Sequence, residues 1–235
     1  MATSRSAPQP RPATSPSYLS PLFAGGMGGR VHAVVALASP MNGTTAYDLA
    51  EDPGFDAKSV RVPWWSKVMA AIMDRALRVT PDGRDQRDYA AHDMHVDRAL
   101  ELNERMRPLE HLYYLSVPCM TTVAQADGTH VPKRDTEPLF TRQSYQMGAY
   151  TGRTRGGVEI GSSWLENDGL VNTCSEKAPL GAPSKPFDPE AIEPGVWNVM
   201  PTLEGDHMWL QGGRMRRHDV RGFYEGLLKV IDGLE

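Results

Sequence analysis

Cysteine is nearly absent: Cys119 and Cys174 are the only two, and no C-x-x-C spacing exists. Two are too few for a disulfide framework, and whether they pair or stay as free thiols is left open. A strong basic excess is also missing. The formal net charge is −4, which argues against nucleic acid as a partner and for a small molecule or a protein. No run of about 18 apolar residues occurs, so no membrane-spanning helix is expected. The N-terminal stretch has no apolar core of the kind a Sec-type signal needs, so the chain as written is expected in the cytoplasm. The four glycines of residues 21–29 lack the Lys-Ser/Thr ending of a phosphate-binding loop and read as a turn before a strand. No internal repeat is visible.

What is present fits one globular domain, with or without a lid or insertion: 235 residues, 40% of them hydrophobic. Residues 1–18 carry four prolines and few apolar groups and read as a disordered leader. Residues 30–38, 111–119 and 196–203 are short β-branched or aromatic runs bounded by turn residues, the pattern of buried strands. Residues 62–79 place Trp65, Met69, Ile72, Met73 and Ala76 on one helical face. A second helix is expected over 96–106, ended by Pro108. A third is expected over 218–231, with Val220, Phe223, Tyr224, Leu227, Leu228 and Ile231 on one face. Residues 120–163 read as irregular, and 178–195 carry five prolines without periodicity. Strands separated by helices predict an α/β fold with a parallel sheet and crossover helices.

Two loops hold the candidate chemistry. Asp168 lies in Glu166-Asn-Asp-Gly-Leu-Val-Asn-Thr173, and Asp206-His207 follows the strand at 196–203. An acid and a histidine from loops at the carboxyl ends of strands can orient an imidazole as a general base. Spacing alone leaves bland alternatives open. Asp168 before Gly169 suits an Asx-turn, and His207 suits an ordinary satisfied histidine. Six other histidines compete. His92-Asp93-x-His95-x-Asp97 suggests metal, but the spacing is not that of a helical zinc site, and a polar turn entering the helix is the better account.

Three stretches carry a resemblance. They are Ser20-Pro-Leu-Phe-x-Gly-Gly through Ser39-Pro-Met-Asn-Gly-Thr-Thr45, Trp164-Leu-Glu-Asn-Asp-Gly-Leu-Val-Asn-Thr173, and Gly195-Val-Trp-Asn198 with Gly205-Asp206-His207 and Asp219-Val-Arg-x-Phe-Tyr224. In order and spacing they resemble the large, secreted, thermoalkalophilic bacterial triacylglycerol lipases, from about residue 18 to the end. The resemblance implies an α/β-hydrolase fold with a bulky lid. It makes Asp168 the triad acid and His207 the triad histidine, in the acid-then-histidine order that follows the serine in such folds. The lid falls in a segment of about 46–108 within a lipase-like region of 19–235. The helix at 62–79, with Trp64 and Trp65, suits such a lid, and the alternative is an ordinary helix packed on the sheet.

The departures from the family are as informative. Its nucleophile sits in A-H-S-x-G-G, upstream of the Ser-Pro-Leu-Phe segment, and this sequence has no G-x-S-x-G or A-x-S-x-G. The oxyanion donors and the early sheet strands are expected to be missing with it, leaving a partial α/β-hydrolase fold. Ser39 follows a strand but aligns with a family Thr and precedes Pro40, which makes it a poor nucleophile. The family's zinc ligands lie mostly upstream, and its calcium-binding Glu is replaced by Trp209, so both metal sites are expected to be lost and no cofactor is expected. The expectation is a lipase-like carboxylester hydrolase region without its serine, inactive alone, whether truncated, frameshifted or part of a split enzyme. Its partners would be a lipid ester or lipid surface, a missing N-terminal half, or a second copy through an exposed sheet edge. The alternatives are an active lipid esterase with an unrecognised serine and a non-catalytic lipid-binding module.

Overall fold

In the computed structural model, residues 31–49, 52–56, 58–68, 71, 90–212 and 219–234 are described. The leader at 1–18, the glycine turn at 21–29 and most of the helix expected at 62–79 lie outside them. The strands in chain order are β1 (Ala33–Leu37), β2 (Tyr113–Val117), β3 (Cys119–Met120), β4 (Thr122–Ala124), β5 (His130–Pro132), β6 (Gly152–Arg153), β7 (Glu159–Ile160), β8 (Ser184–Pro186), β9 (Trp197–Val199) and β10 (Leu203–Glu204). The helices are α1 (Thr45–Asp48), α2 (Ala90–Asp93), α3 (Val96–Arg105), α4 (Pro138–Met147) and α5 (Val220–Asp232).

The expected parallel sheet forms, with the order β1-β2-β9-β8. Val35 pairs with Leu115, and Leu115 with Asn198. The central strand β2 is the driest, with Leu115 and Ser116 wholly inaccessible. Burying a Leu of this kind contributes about 1.5–3 kcal/mol. β1 is half-buried along its whole length, as suits a strand with a neighbour on one side only among the described residues. Beyond β2 and β9 the chain continues in the same direction: β3 and β10 pair in parallel, Leu203 beside Cys119. The loops after β3 and β10 therefore open at the carboxyl end of the sheet.

Three readings are corrected. Residues 120–163 are not irregular: they hold the hairpins β4–β5 and β6–β7 and the helix α4. Helix α4 hides from periodicity because it buries Thr141, Ser144 and Gln146 alongside Phe140 and Met147. The proline-rich stretch contributes a fourth sheet strand, β8. Its Ser-Lys-Pro sequence has no apolar pattern, and proline is tolerated because β8 lies at the edge. In α5 only Leu227 is fully buried, while Leu228 stays 56% exposed. The last helix thus presents a narrower apolar face than its sequence suggests.

Apolar residues gather in three clusters. Met41, Leu112, Tyr114 and Trp197 form one, with the Tyr114 and Trp197 rings 5.1 Å apart. Ala38, Val117, Cys119 and Leu210 form another, closed by Trp209 and Phe223. Leu49, Val96, Met147, Tyr150 and Ile160 form a third. Residues 64–68 are helical. Trp64 is 78% exposed, Trp65 and Val68 are also exposed, and Ser66 is the residue buried there. No helix among the described residues is long and apolar enough to cross a membrane.

Candidate active site

The loop before the candidate acid is built by side chains that mimic backbone. Asn167 Oδ1 accepts the Gly169 N–H at 2.9 Å, and its Nδ2 donates to the Leu165 carbonyl. Asn172 reaches across to the segment after β1, accepting the Thr45 N–H at 2.9 Å and donating to the Trp164 carbonyl. The Thr121 N–H, just past β3, donates to the Asn167 carbonyl at 2.9 Å. Gly169 adopts φ +95°, and a Cβ there would lie 2.6 Å from the Cβ of Phe140. Only glycine meets both demands.

These contacts fix Asp168 with no solvent exposure. Its Oδ1 accepts the N–H groups of Leu170 and Val171 at 2.9 and 2.7 Å. The Asx-turn considered from sequence is therefore real, and it leaves Oδ2 for another partner. That partner is His207: Nδ1 lies 2.7 Å from Oδ2, and the His207 N–H also donates to the Asp168 carbonyl at 3.0 Å. The carboxylate selects the tautomer with the proton on Nδ1 and leaves Nε2 as the basic nitrogen. The Phe140 ring stands nearly perpendicular to the imidazole, with the ring centroids 6.1 Å apart. Burial opposes charge on His207, but the hydrogen bond and negative charge of Asp168, helped by Asp206, outweigh it and raise its pKa.

Asp206 is a brace. Its carboxylate accepts the N–H groups of Met208 at 3.0 Å and Glu137 at 2.7 Å, tying the histidine turn to the start of α4. Burial raises its pKa, and these two donors moderate the rise. Glu176, which drew no attention in the sequence, is the unforeseen member of the site. It closes a 3-10 turn (Thr173–Glu176) just after the candidate acid loop and is wholly buried. Burial and the nearby charge of Asp168 hold its carboxyl well above the usual range. A carboxylate between Ser175 and Lys177, eight positions past Asp168, gives no sequence signal, since only the fold turns it back.

The other candidates do not converge. His95 Nδ1 pairs with Asp48 at 3.1 Å, Asp97 accepts from Thr154 and Gly156, and Asp93 faces Arg98. This is the polar entrance to α3 that the sequence favoured over metal. Cys119 and Cys174 are free thiols, and burial pushes Cys174 up to about 12. Ser39 donates to the Leu37 carbonyl at 3.2 Å. It lines a cavity of about 370 Å³ with Val34, Ala36, Tyr114 and Trp197, a space to which neither Asp168 nor His207 contributes. A metal-like grouping of Asp168, Glu176 and His207 exists, but each member is already engaged in the site described.

This arrangement, an acid and a histidine on loops at the carboxyl end of a parallel sheet, places the protein among hydrolase-like α/β folds, and comparison with known proteins agrees. No family profile matches the chain. The chain is 26% identical over 210 residues to a lipase of Staphylococcus hyicus, covering 80% of this chain and 31% of that protein. It is 26% identical over 245 residues to a lipase of Staphylococcus epidermidis, covering 89% and 33%. The chain thus spans about a third of the length of the curated relatives it matches. Among solved structures, EstA from Clostridium botulinum superposes with a TM-score of 0.66 at 23% identity, over 85% of this chain and 53% of that one. Lipase 1 from Pelosinus fermentans gives 0.63 at 24% identity, over 94% and 64%. The Staphylococcus hyicus lipase gives 0.62 at 18%, over 92% and 64%. The fold is that of a bacterial lipase-like α/β-hydrolase, with four strands of its parallel sheet among the described residues.

Proposed function

We propose that the chain supplies the acid and histidine of a serine carboxylester hydrolase acting on lipid esters. The observation that carries this is the Asp168–His207 pair, held at 2.7 Å on a buried acid. His207 Nε2 takes the proton of an attacking serine and returns it to the leaving alcohol, and Asp168 stabilises the imidazolium between those steps. The serine belongs to a strand–elbow–helix segment for which the sequence has no match. Without it the chain loses on the order of 10⁶-fold in rate. The exposed Trp64, Trp65 and Val68 suit contact with the lipid surface that presents the substrate.

The test is hydrolysis of a short-chain p-nitrophenyl ester by the purified chain, alone and mixed with the elbow-bearing N-terminal half of a staphylococcal lipase. Wild type and His207→Ala are compared. The expected result is an inert chain whose mixture hydrolyses the ester only when His207 is present. Turnover by the chain alone that is lost in His207→Ala would establish a serine of its own and overturn the half-site reading. Activity indifferent to His207 would overturn the assignment of the pair.

A further inference from the structure

Glu176 stands directly behind the pair. Its Oε2 accepts the Cys119 N–H on β3, while Oε1 is sealed from solvent with no N–H or O–H donor aimed at it. A carboxyl oxygen of Glu176, one of Asp168 and a ring nitrogen of His207 all lie within 4.8 Å of one another. Two acids, a histidine and a thiol from neighbouring elements face Glu176. Asp168 and Glu166 come from the acid loop, His207 from the turn after β10, and the Cys119 thiol from β3. Its own turn adds Cys174 and Lys177.

Two buried carboxyl groups with oxygens within 4.8 Å of each other cannot both be ionised cheaply, so one keeps a proton. The donors decide which. Asp168 receives two backbone N–H groups and the imidazole, whereas Glu176 receives one N–H. The negative charge therefore settles on Asp168 and the proton on Glu176, where the sealed oxygen becomes an O–H with an acceptor beside it. We propose that Glu176 is a positioning residue of the Asp168–His207 pair, a neutral carboxylic acid whose O–H donates to the Asp168 carboxylate and limits how strongly Asp168 holds the imidazolium.

The proton stays on Glu176 throughout, and no bond to substrate involves it. An Asp168 carboxylate that accepts this O–H is a weaker partner for positive charge. His207 then stays neutral at a lower pH than it would beside an undiluted carboxylate, and a neutral imidazole is the form that can accept a proton. The inference rests on Asp168 and His207 forming the working pair, and it adds a group that tunes them.

The test is NMR on the full chain, following the His207 ring and the Glu176 carboxyl carbon from pH 5 to pH 8. Wild type, Glu176→Gln, Glu176→Leu and Asp168→Asn are compared. The Glu176 carbon is expected to keep a neutral-acid shift throughout. Gln keeps both contacts, its carbonyl accepting from Cys119 and its amide donating to Asp168, so the His207 midpoint should stay in place. Leu removes the donor, and the midpoint should rise by about one unit. A midpoint that falls by about one unit in Glu176→Gln would mean that an anion had been removed, and the proposal would be wrong. A folded Glu176→Leu with an unmoved midpoint would leave Glu176 a purely structural residue, also overturning it. Should the Leu variant fail to fold, the Gln midpoint and the carboxyl carbon decide. Asp168→Asn separates the two levels: a His207 midpoint that does not fall there sinks the pair itself rather than the role of Glu176.

Discussion

Asp168 and His207 are joined twice, by a 2.7 Å contact between Oδ2 and Nδ1 and by a 3.0 Å bond from the His207 N–H to the Asp168 carbonyl. The backbone bond holds the two loops together whatever the side chains do. The side-chain contact can therefore be altered without separating the loops.

Asp168→Asn should keep the fold, because one amide oxygen can still serve the Leu170 and Val171 N–H groups. It removes the hydrogen bond and the charge that raise the His207 pKa and leaves burial unopposed. The midpoint of His207 should fall by about one unit or more. An NMR titration of the ring reads this directly.

Gly169→Ala should unsettle the acid loop. The residue would have to hold φ +95° and push its Cβ against Phe140. Backbone strain and overpacking together cost about 2–4 kcal/mol. Urea denaturation would measure the loss, and an equally stable variant would contradict the close approach.

Asn172→Ala removes the link between the acid loop and Thr45 and strands the Thr45 N–H in the interior. Leaving such groups unpaired costs about 2–4 kcal/mol. Asp168 and Glu176 flank this residue, so the His207 resonance should broaden or shift as well.

Stability should depend on pH through Glu176. Its folded pKa is raised, so its favourable contribution is complete below the unfolded carboxylate pKa. That contribution is lost as pH rises toward the folded value, because folding must then take up a proton. Over that window the loss is about 1.4 kcal/mol per pH unit. Glu176→Gln has no such proton to bind. Its stability relative to wild type should therefore grow from pH 5 upward, as denaturation at several pH values would show. A difference that does not change with pH would contradict the raised pKa.

Trp64→Ala should weaken binding to phospholipid vesicles by about tenfold, the effect of losing roughly 1.4 kcal/mol of apolar contact. Co-sedimentation with vesicles measures it. Binding unchanged in both Trp64→Ala and Trp65→Ala would remove the lipid-surface reading of residues 64–68.

The sequence by itself determined the α/β class, the positions of β1, β2 and β9, and the pairing of Asp168 with His207. Short β-branched or aromatic runs carry the strands, whereas the acid and histidine are carried by the resemblance of their two stretches to the lipases, since spacing alone leaves an Asx-turn and an ordinary histidine open. Tertiary structure alone decided three other things. Helix α4 forms although its buried face includes Thr141, Ser144 and Gln146, because packing against β5 and the Asn167 amide, which donates to the Ser144 carbonyl, holds that face rather than an apolar stripe. Strand β8 forms because β9 offers a free edge, a reason that lies outside its own residues. Glu176 enters the site because the chain folds the turn at 173–176 back beneath Asp168, out of water. A lone acidic residue in a sequence reads as solvated surface, and only the packing around it reveals a buried carboxyl that must share its neighbour's charge.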